Sequence, residues 1–442
     1  MIRNSIILFF VSLLVRLCYI LFFVEYEYFL IEDQAVYIKL AQQFIEVGVA
    51  GLDSERVPGY PLFLSAIYTL FSESLWDIVI IQILLDSITC VVVALMAVSL
   101  FEKGFWVAGV LAAVNLNMVI LSASILTDTL FLFLFALFLF SLIKYLQKNS
   151  TMWFFLLVLF ISMAVLVRAS GYYLLYILFI WLIGLRSFKK DSIFKIAKLG
   201  SIYILVVATL LGSTIQKNYQ KYGSVALASD TGTHVVGWLI PSTYQYSGQG
   251  SYQEGQSLVK KKLKLALQSD NLIELPQNPF ESSSYKSKVG KEILFEFGFF
   301  NILKAWTVGS TINLLAPSIA YAPVVRSMKH PSFYETKGDG AIDKLFNYMK
   351  NNDGLFYLLI LSVGTVISIV FILLTLLGIF KMSLDFSPAI VTTLLLLIGY
   401  FLAITGPIVG TKYRLPIEPI LILFVTYAIN KYFLNKINKK SF

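Results

Sequence analysis

The sequence predicts an all-α integral membrane protein that crosses the bilayer many times. Only 14% of its 442 residues are charged, whereas soluble domains carry about 25%. Hydrophobic residues make up 58%, and mean hydropathy is +0.78. Aromatic residues reach 15%, an excess that suits a lipid-facing surface with ring belts at the headgroups. The formal net charge is +9. The basic residues fall between apolar runs rather than on one face, which favours membrane orientation over nucleic-acid binding.

A hydrocarbon core of about 30 Å needs about 20 apolar residues per helix. Runs of that kind occupy 5–24, 76–101, 105–121, 128–146, 196–215, 354–380, 388–409 and 415–434. The stretch 152–185 is too long for one span and is broken at Arg168-Ala169-Ser170-Gly171, so it reads as a hairpin of two shorter helices. The expectation is about ten crossings. Residues 292–322 are also apolar, but Ala316-Pro317 interrupts them and an odd count would invert the tail. They are expected to form an interfacial or re-entrant helix. The N-terminal run, followed by Glu25-Tyr26-Glu27-Tyr28, is expected to be a retained span rather than a cleaved signal.

Short loops on one side collect Arg3, Lys103, Lys144, Lys148, Arg186, Lys189, Lys190, Lys195, Lys198, Lys381, Lys431, Lys436, Lys439 and Lys440. The positive-inside rule makes that side cytoplasmic, with both termini on it. The chain then divides into an N-terminal membrane module at 1–215, an outer region at 216–353 and C-terminal helices at 354–442. The first outer connection is 25–75. Cys18 and Cys90 lie inside apolar runs and read as buried free thiols.

The outer connections hold the polar chemistry. After Glu32-Asp33, residues Val36, Tyr37, Leu40, Ala41 and Phe44 recur at helical spacing opposite Lys39, Gln42, Gln43 and Glu46. That pattern predicts a helix in the interface plane, with Asp33 at its acid-favouring start. Pro61, in Arg56-Val57-Pro58-Gly59-Tyr60-Pro61, is placed to open another helix. Asp128 stands where the next outer turn enters its span. Within the first span, Arg16 is expected to pair with an acid such as Asp86.

These landmarks resemble the GT-C superfamily, membrane glycosyltransferases that use polyprenyl-phosphate sugars. It includes protein O-mannosyltransferases and the lipid A aminoarabinose transferase. The first outer loop of that superfamily is similar to Asp33…Tyr37…Ala41 followed by Arg56 to Leu62. Leu126 to Phe131 resembles its acidic second-loop motif, and Leu166-Val167-Arg168 its Arg-ended hairpin. The segment leaving its seventh span resembles Asn218 to Ser224 with Ser229 to Gly232. Lys412-Tyr413-Arg414-Leu415-Pro416-Ile417-Glu418-Pro419 is similar to its basic element before the last helix. Residues 235–360 match no landmark.

The resemblance implies a GT-C-like fold with interfacial helices in the outer loops. It implies inverting transfer of one sugar from a polyprenyl-phosphate donor to a surface glycan, lipid-linked saccharide or protein. Asp33 would be the general base, and Asp128, also in the catalytic group, would shape the site by orienting acceptor or base. Arg56, Arg168, Lys412 and Arg414 would cradle the donor phosphate. Tyr37, Tyr60, His234 and Tyr413 would be substrate contacts. The chemistry needs such residues: a carboxylate to take the acceptor's proton and cations to stabilise the leaving phosphate.

Plainer roles fit the same positions. Asp33 and Asp128 suit helix starts, Arg56 can pair with Asp53 or Glu55, and Arg168, Lys412 and Arg414 can snorkel. No His/Cys/carboxylate spacing marks a metal site, so no cofactor is expected, although Glu32, Asp33 and Asp128 leave a divalent ion open. A Walker loop and a DxD pair are absent from the sequence. Expected partners are the lipid-linked donor, its acceptor and membrane lipids, and not nucleic acid. The expected location is a bacterial cytoplasmic membrane with the site outside. A surface-glycan polymerase of another membrane fold, or a transporter or flippase for lipid-linked saccharides, remains as an alternative.

Overall fold

The computed structural model describes residues 1–30, 33–101, 103–331 and 336–434. The expectations placed on Glu32, Lys436, Lys439 and Lys440 lie outside the described residues. Within them every regular element is a helix.

The chain opens with α1 (Ile2–Phe23), then α2 (Asp33–Val47) and α3 (Gly59–Leu70) in the first outer connection. A span, α4 (Leu75–Phe101), follows. Next come α5 (Phe105–Ala113) and α6 (Leu116–Ser122), bent by 50°. The bend is built in by Asn115, whose side chain accepts from Met118 N and starts a new helix. Then come α7 (Thr127–Lys148), α8 (Thr151–Val167), α9 (Tyr172–Phe188) and α10 (Ile193–Tyr222). The division expected at residue 215 therefore falls inside α10.

A helical unit between the membrane-length helices α10 and α18 is formed by α11 (Thr231–His234), α12 (Ile240–Ser247), α13 (Tyr252–Ser269) and α14 (Pro279–Phe297). It has its own small core of Val236, Ile240, Val259, Val289, Ile293 and Phe297. Gly298 at φ 77° then turns the chain into α15 (Phe299–Leu315), a separate helix that packs on two later spans. After α16 (Pro323–Arg326) and α17 (Ala341–Met349) come those spans, α18 (Asn352–Asp385) and α19 (Pro388–Thr405). The last α-helix is α20 (Glu418–Ile429).

Seven of the described helices are long and apolar enough to cross a membrane, or eight if the bent α5–α6 pair is one span. Two further expected spans fall on helices that are too short to cross by themselves, so the described residues show seven or eight crossings rather than ten. Helix α8 has 17 residues. Helix α20 has 12 but continues a 3-10 segment, Thr411–Ile417, and runs on into Asn430–Leu434. Pro416 lies inside that 3-10 segment and lacks the N–H that an α-helical ladder requires.

Burial follows position in the bundle. Helix α20 is buried from Glu418 to Ala428, and α7 along most of its length. By contrast α18 exposes Phe356, Leu359, Val363, Ile367 and Val370, as a lipid-facing helix does. Basic groups assigned to one side do gather at one end. Lys381 and Lys431 both pair with Asp385 at 3.3 Å, and Asn430 bonds the Lys103 carbonyl at 3.1 Å. Cys90 is buried as expected, but Cys18 is exposed, because it falls on the outward face of α1.

Arg16 is fully buried and its Nε donates to Asp86 Oδ2 at 2.6 Å. The same guanidinium reaches Ser12 O, Ala113 O and Cys90 Sγ. It therefore ties α1 to α4 and to the end of α5. Removing one member strands the other charge in the bundle, so Arg16→Met should cost about 3–5 kcal/mol. Unfolding in detergent measures this, and adding Asp86→Leu should restore most of the loss.

Candidate active site

Asp33 is the first residue of α2, and its Oδ1 accepts from Arg56 Nη2 at 2.8 Å. Arg56 Nη1 donates to the Tyr37 hydroxyl at 3.3 Å, and the guanidinium carbon lies 5.3 Å from that ring's centre. Tyr37 is one helical turn beyond Asp33, so α2 presents both to one arginine.

The loop carrying Arg56 is held from several directions. Its backbone N–H donates to Asp53 Oδ1 at 3.0 Å. Lys217 Nζ donates to Leu52 O at 3.0 Å, and Ser229 N to Ser54 O at 2.8 Å. Thus the end of α10 and the strand-like segment after it strap down the first outer loop. Gly59 permits a close backbone approach: a Cβ there would lie 2.5 Å from the Leu166 carbonyl oxygen. Two motifs distant in sequence meet at that contact.

A second carboxylate–arginine pair lies beyond the contact. Asp128, buried in the first turn of α7, accepts from Arg168 Nη1 at the end of α8. Tyr413 adjoins Arg168. Burial pushes the Tyr37 and Tyr413 phenols up, with Arg56 and Arg168 respectively pulling them part of the way back. Asp33 and Arg168 both act on Tyr37, and Asp33, Asp128 and Arg168 on Tyr413, so the two pairs share one neighbourhood.

A cavity of about 250 Å³ opens on the other side of Asp33. Its wall includes Tyr28, Gln34, Tyr321, Arg326 and Lys412. Lys412 Nζ lies 5.6 Å from the Tyr413 ring centre and makes no ion pair with a described carboxylate. Asp33 therefore stands between the arginine pairs and a cavity that presents two further cations.

Three expected site residues lie elsewhere. Arg414 is buried, with Nε on Glu418 at 2.7 Å, Nη1 on Leu314 O at 2.6 Å and Nη2 on Ser318 Oγ at 3.0 Å. Its donors are taken up in joining the start of α20 to the end of α15, which leaves no phosphate cradle there. Tyr60 is fully buried and donates to Gln82 Oε1 at 2.7 Å, so it is an internal brace and not a substrate contact. His234 sits in the α11–α14 unit, 3.5 Å from Asp230 and beside Trp238, away from the cavity wall. Among the described residues, no three His, Cys, Asp or Glu side chains are grouped as a metal site requires.

Sequence reasoning missed Gln34, Gln82, Arg326 and Gly59. Only Gly59 carried a signal, as the one residue without a side chain in the Arg56 to Pro61 motif.

Neighbouring cations should behave differently. Arg414→Ala leaves Glu418 buried without its ion partner and should cost about 3–5 kcal/mol. Lys412→Ala should change stability by no more than about 0.5 kcal/mol. Thermal unfolding of both purified variants separates the roles.

Residues 55–211 match the family model described as dolichyl-phosphate-mannose-protein mannosyltransferase. That segment contains Arg56, Asp128 and Arg168, and leaves Asp33 and Lys412 outside it. No curated protein matches. Two solved structures of ArnT from Cupriavidus metallidurans are similar. The one bound to undecaprenyl phosphate has 12% identity, covering 97% of this chain and 76% of that one, with a TM-score of 0.36. The apo structure has 9% identity, covering 89% and 71%, with a TM-score of 0.34. The matched segment, about a third of the chain, carries three of the charged residues gathered at the site, and over that segment the chain is similar to this family of membrane mannosyltransferases.

Proposed function

We propose that this protein moves a sugar from a polyprenyl-phosphate carrier to an acceptor hydroxyl at the outer face of the membrane, with inversion. The observation that carries this reading is the placement of Asp33, held by Arg56 on one side and bordering a cavity with Lys412 and Arg326 on the other. The family description, with its lipid-phosphate-linked mannose, supports a donor of that class.

The chemistry balances in one step. The acceptor O–H gives its proton to the Asp33 carboxylate as its oxygen attacks the anomeric carbon. The carbon–oxygen bond to phosphate breaks on the opposite face, and polyprenyl phosphate departs with the electron pair. Arg56 engages Oδ1, so Oδ2 is the oxygen that receives the proton. Cations fixed before the reaction stabilise charge as it develops on the leaving group. Lys412 and Arg326 border the cavity where that charge forms, while Arg56 and Arg168 hold the two carboxylates. The transporter alternative calls for unpaired ionisable groups along a path through the bundle. Arg16 and Asp86 instead neutralise each other inside it.

Incubating the purified protein with a polyprenyl-phosphate sugar and an acceptor, and measuring release of polyprenyl phosphate, tests the proposal. Asp33→Asn should slow release by about a hundredfold or more without lowering thermal stability. Full turnover in that folded variant overturns the assignment of the base. Arg56→Ala should slow turnover while folding normally, because its ion pair is partly exposed and contributes about 1 kcal/mol or less.

A further inference from the structure

The geometry points to Gln34 as a positioning residue that sets the Asp128 helix relative to Asp33. This inference rests on the glycosyl-transfer reading for its catalytic consequence and on hydrogen bonds alone for its structural one. Gln34 follows Asp33 directly and is buried, the one polar amide among the apolar and aromatic residues that α2 buries. Its Nε2 donates to Tyr28 O at 2.6 Å, and its Oε1 accepts from Ile125 N at 2.8 Å. One amide thus fastens the chain before α2 to the turn that feeds α7, three residues ahead of Asp128.

Gln82 holds the same turn from a different helix. Its Nε2 donates to Ser124 O at 2.7 Å and to Ser122 O at 3.2 Å, and its Oε1 accepts from Tyr60 at 2.7 Å. The turn between α6 and α7 leaves these backbone groups outside any helical ladder. Two neutral amides supply a donor where the turn offers carbonyls and an acceptor where it offers an N–H. Neutral groups can be buried this way without the desolvation cost of charges, and they add no net charge beside the two carboxylates.

Gln34 touches neither the cluster's arginines nor its carboxylates by hydrogen bond. It borders the cavity beside Asp33, and its positioning effect passes through the Ile125 backbone and the first turn of α7. A misplacement of about 1 Å at a reacting group can cost on the order of a hundredfold in rate.

Two variants test this. Gln34→Leu keeps the volume and removes both bonds. In the full-length protein in detergent, hydrogen exchange at Ile125 should speed up at least about tenfold, with kcat falling about tenfold or more and KM little changed. Gln34→Glu can accept from Ile125 N, but donates to Tyr28 O only when protonated. Its kcat relative to the unaltered protein should therefore rise as pH falls, a signature that a volume-filling role lacks. Unchanged exchange at Ile125 in Gln34→Leu overturns the brace. Faster exchange with unchanged kcat overturns its positioning role. If the unaltered protein transfers no sugar, the exchange result still decides the brace, and only the glycosyl-transfer reading falls.

Discussion

The backbone of Gly59 lies against the carbonyl of Leu166, closer than any side chain permits. Much of the site depends on that contact. It lays the first outer loop across the end of the α8–α9 hairpin, where Arg168 emerges. Arg56 and Arg168 then hold carboxylates from two other helices, at the start of α2 and of α7. Without it, the two ion pairs would belong to separate loops and share no neighbour. Arg168 acts on both Tyr37 and Tyr413, whose phenols burial pushes up.

The site is stabilised in proportion to its depth. The Arg56–Asp33 pair sits near solvent, where an ion pair contributes little to folding. Such a pair rearranges cheaply when substrate arrives. The Arg414–Glu418 pair is buried and surrounded by carbonyl and amide partners, so it fixes the helix end beneath the site. Arg16–Asp86 does the same inside the bundle. Charge in this protein is thus divided between the partly exposed Arg56–Asp33 pair and buried pairs that join helices.

The gathering of charged residues from distant motifs was largely legible in advance. Asp33, Arg56, Asp128, Arg168 and Lys412 each follow or precede a long apolar run, so helix count alone puts them on one side. Their partners were not legible. Arg414 lies two residues from Lys412, and the two were indistinguishable as letters. One is enclosed by α15 and α20 and the other borders a cavity. Tyr60 looked like a ligand contact because it sits in a motif, yet α3 turns it inward against α4. Exposure depends on which neighbouring helix covers a face.

By itself the sequence determined the class of protein and the position of most spans. Apolar runs of membrane length and the scarcity of charge between them depend only on local composition, which a bilayer reads segment by segment. Tertiary structure decided the rest: the bend at Asn115, the short helix behind Pro416, and the glutamines that hold the turn before Asp128. It also separated the arginines that join helices from those that hold the outer carboxylates. Those outcomes follow from which backbone carbonyls and amides remain unpaired after the helices pack, and no single segment carries that information.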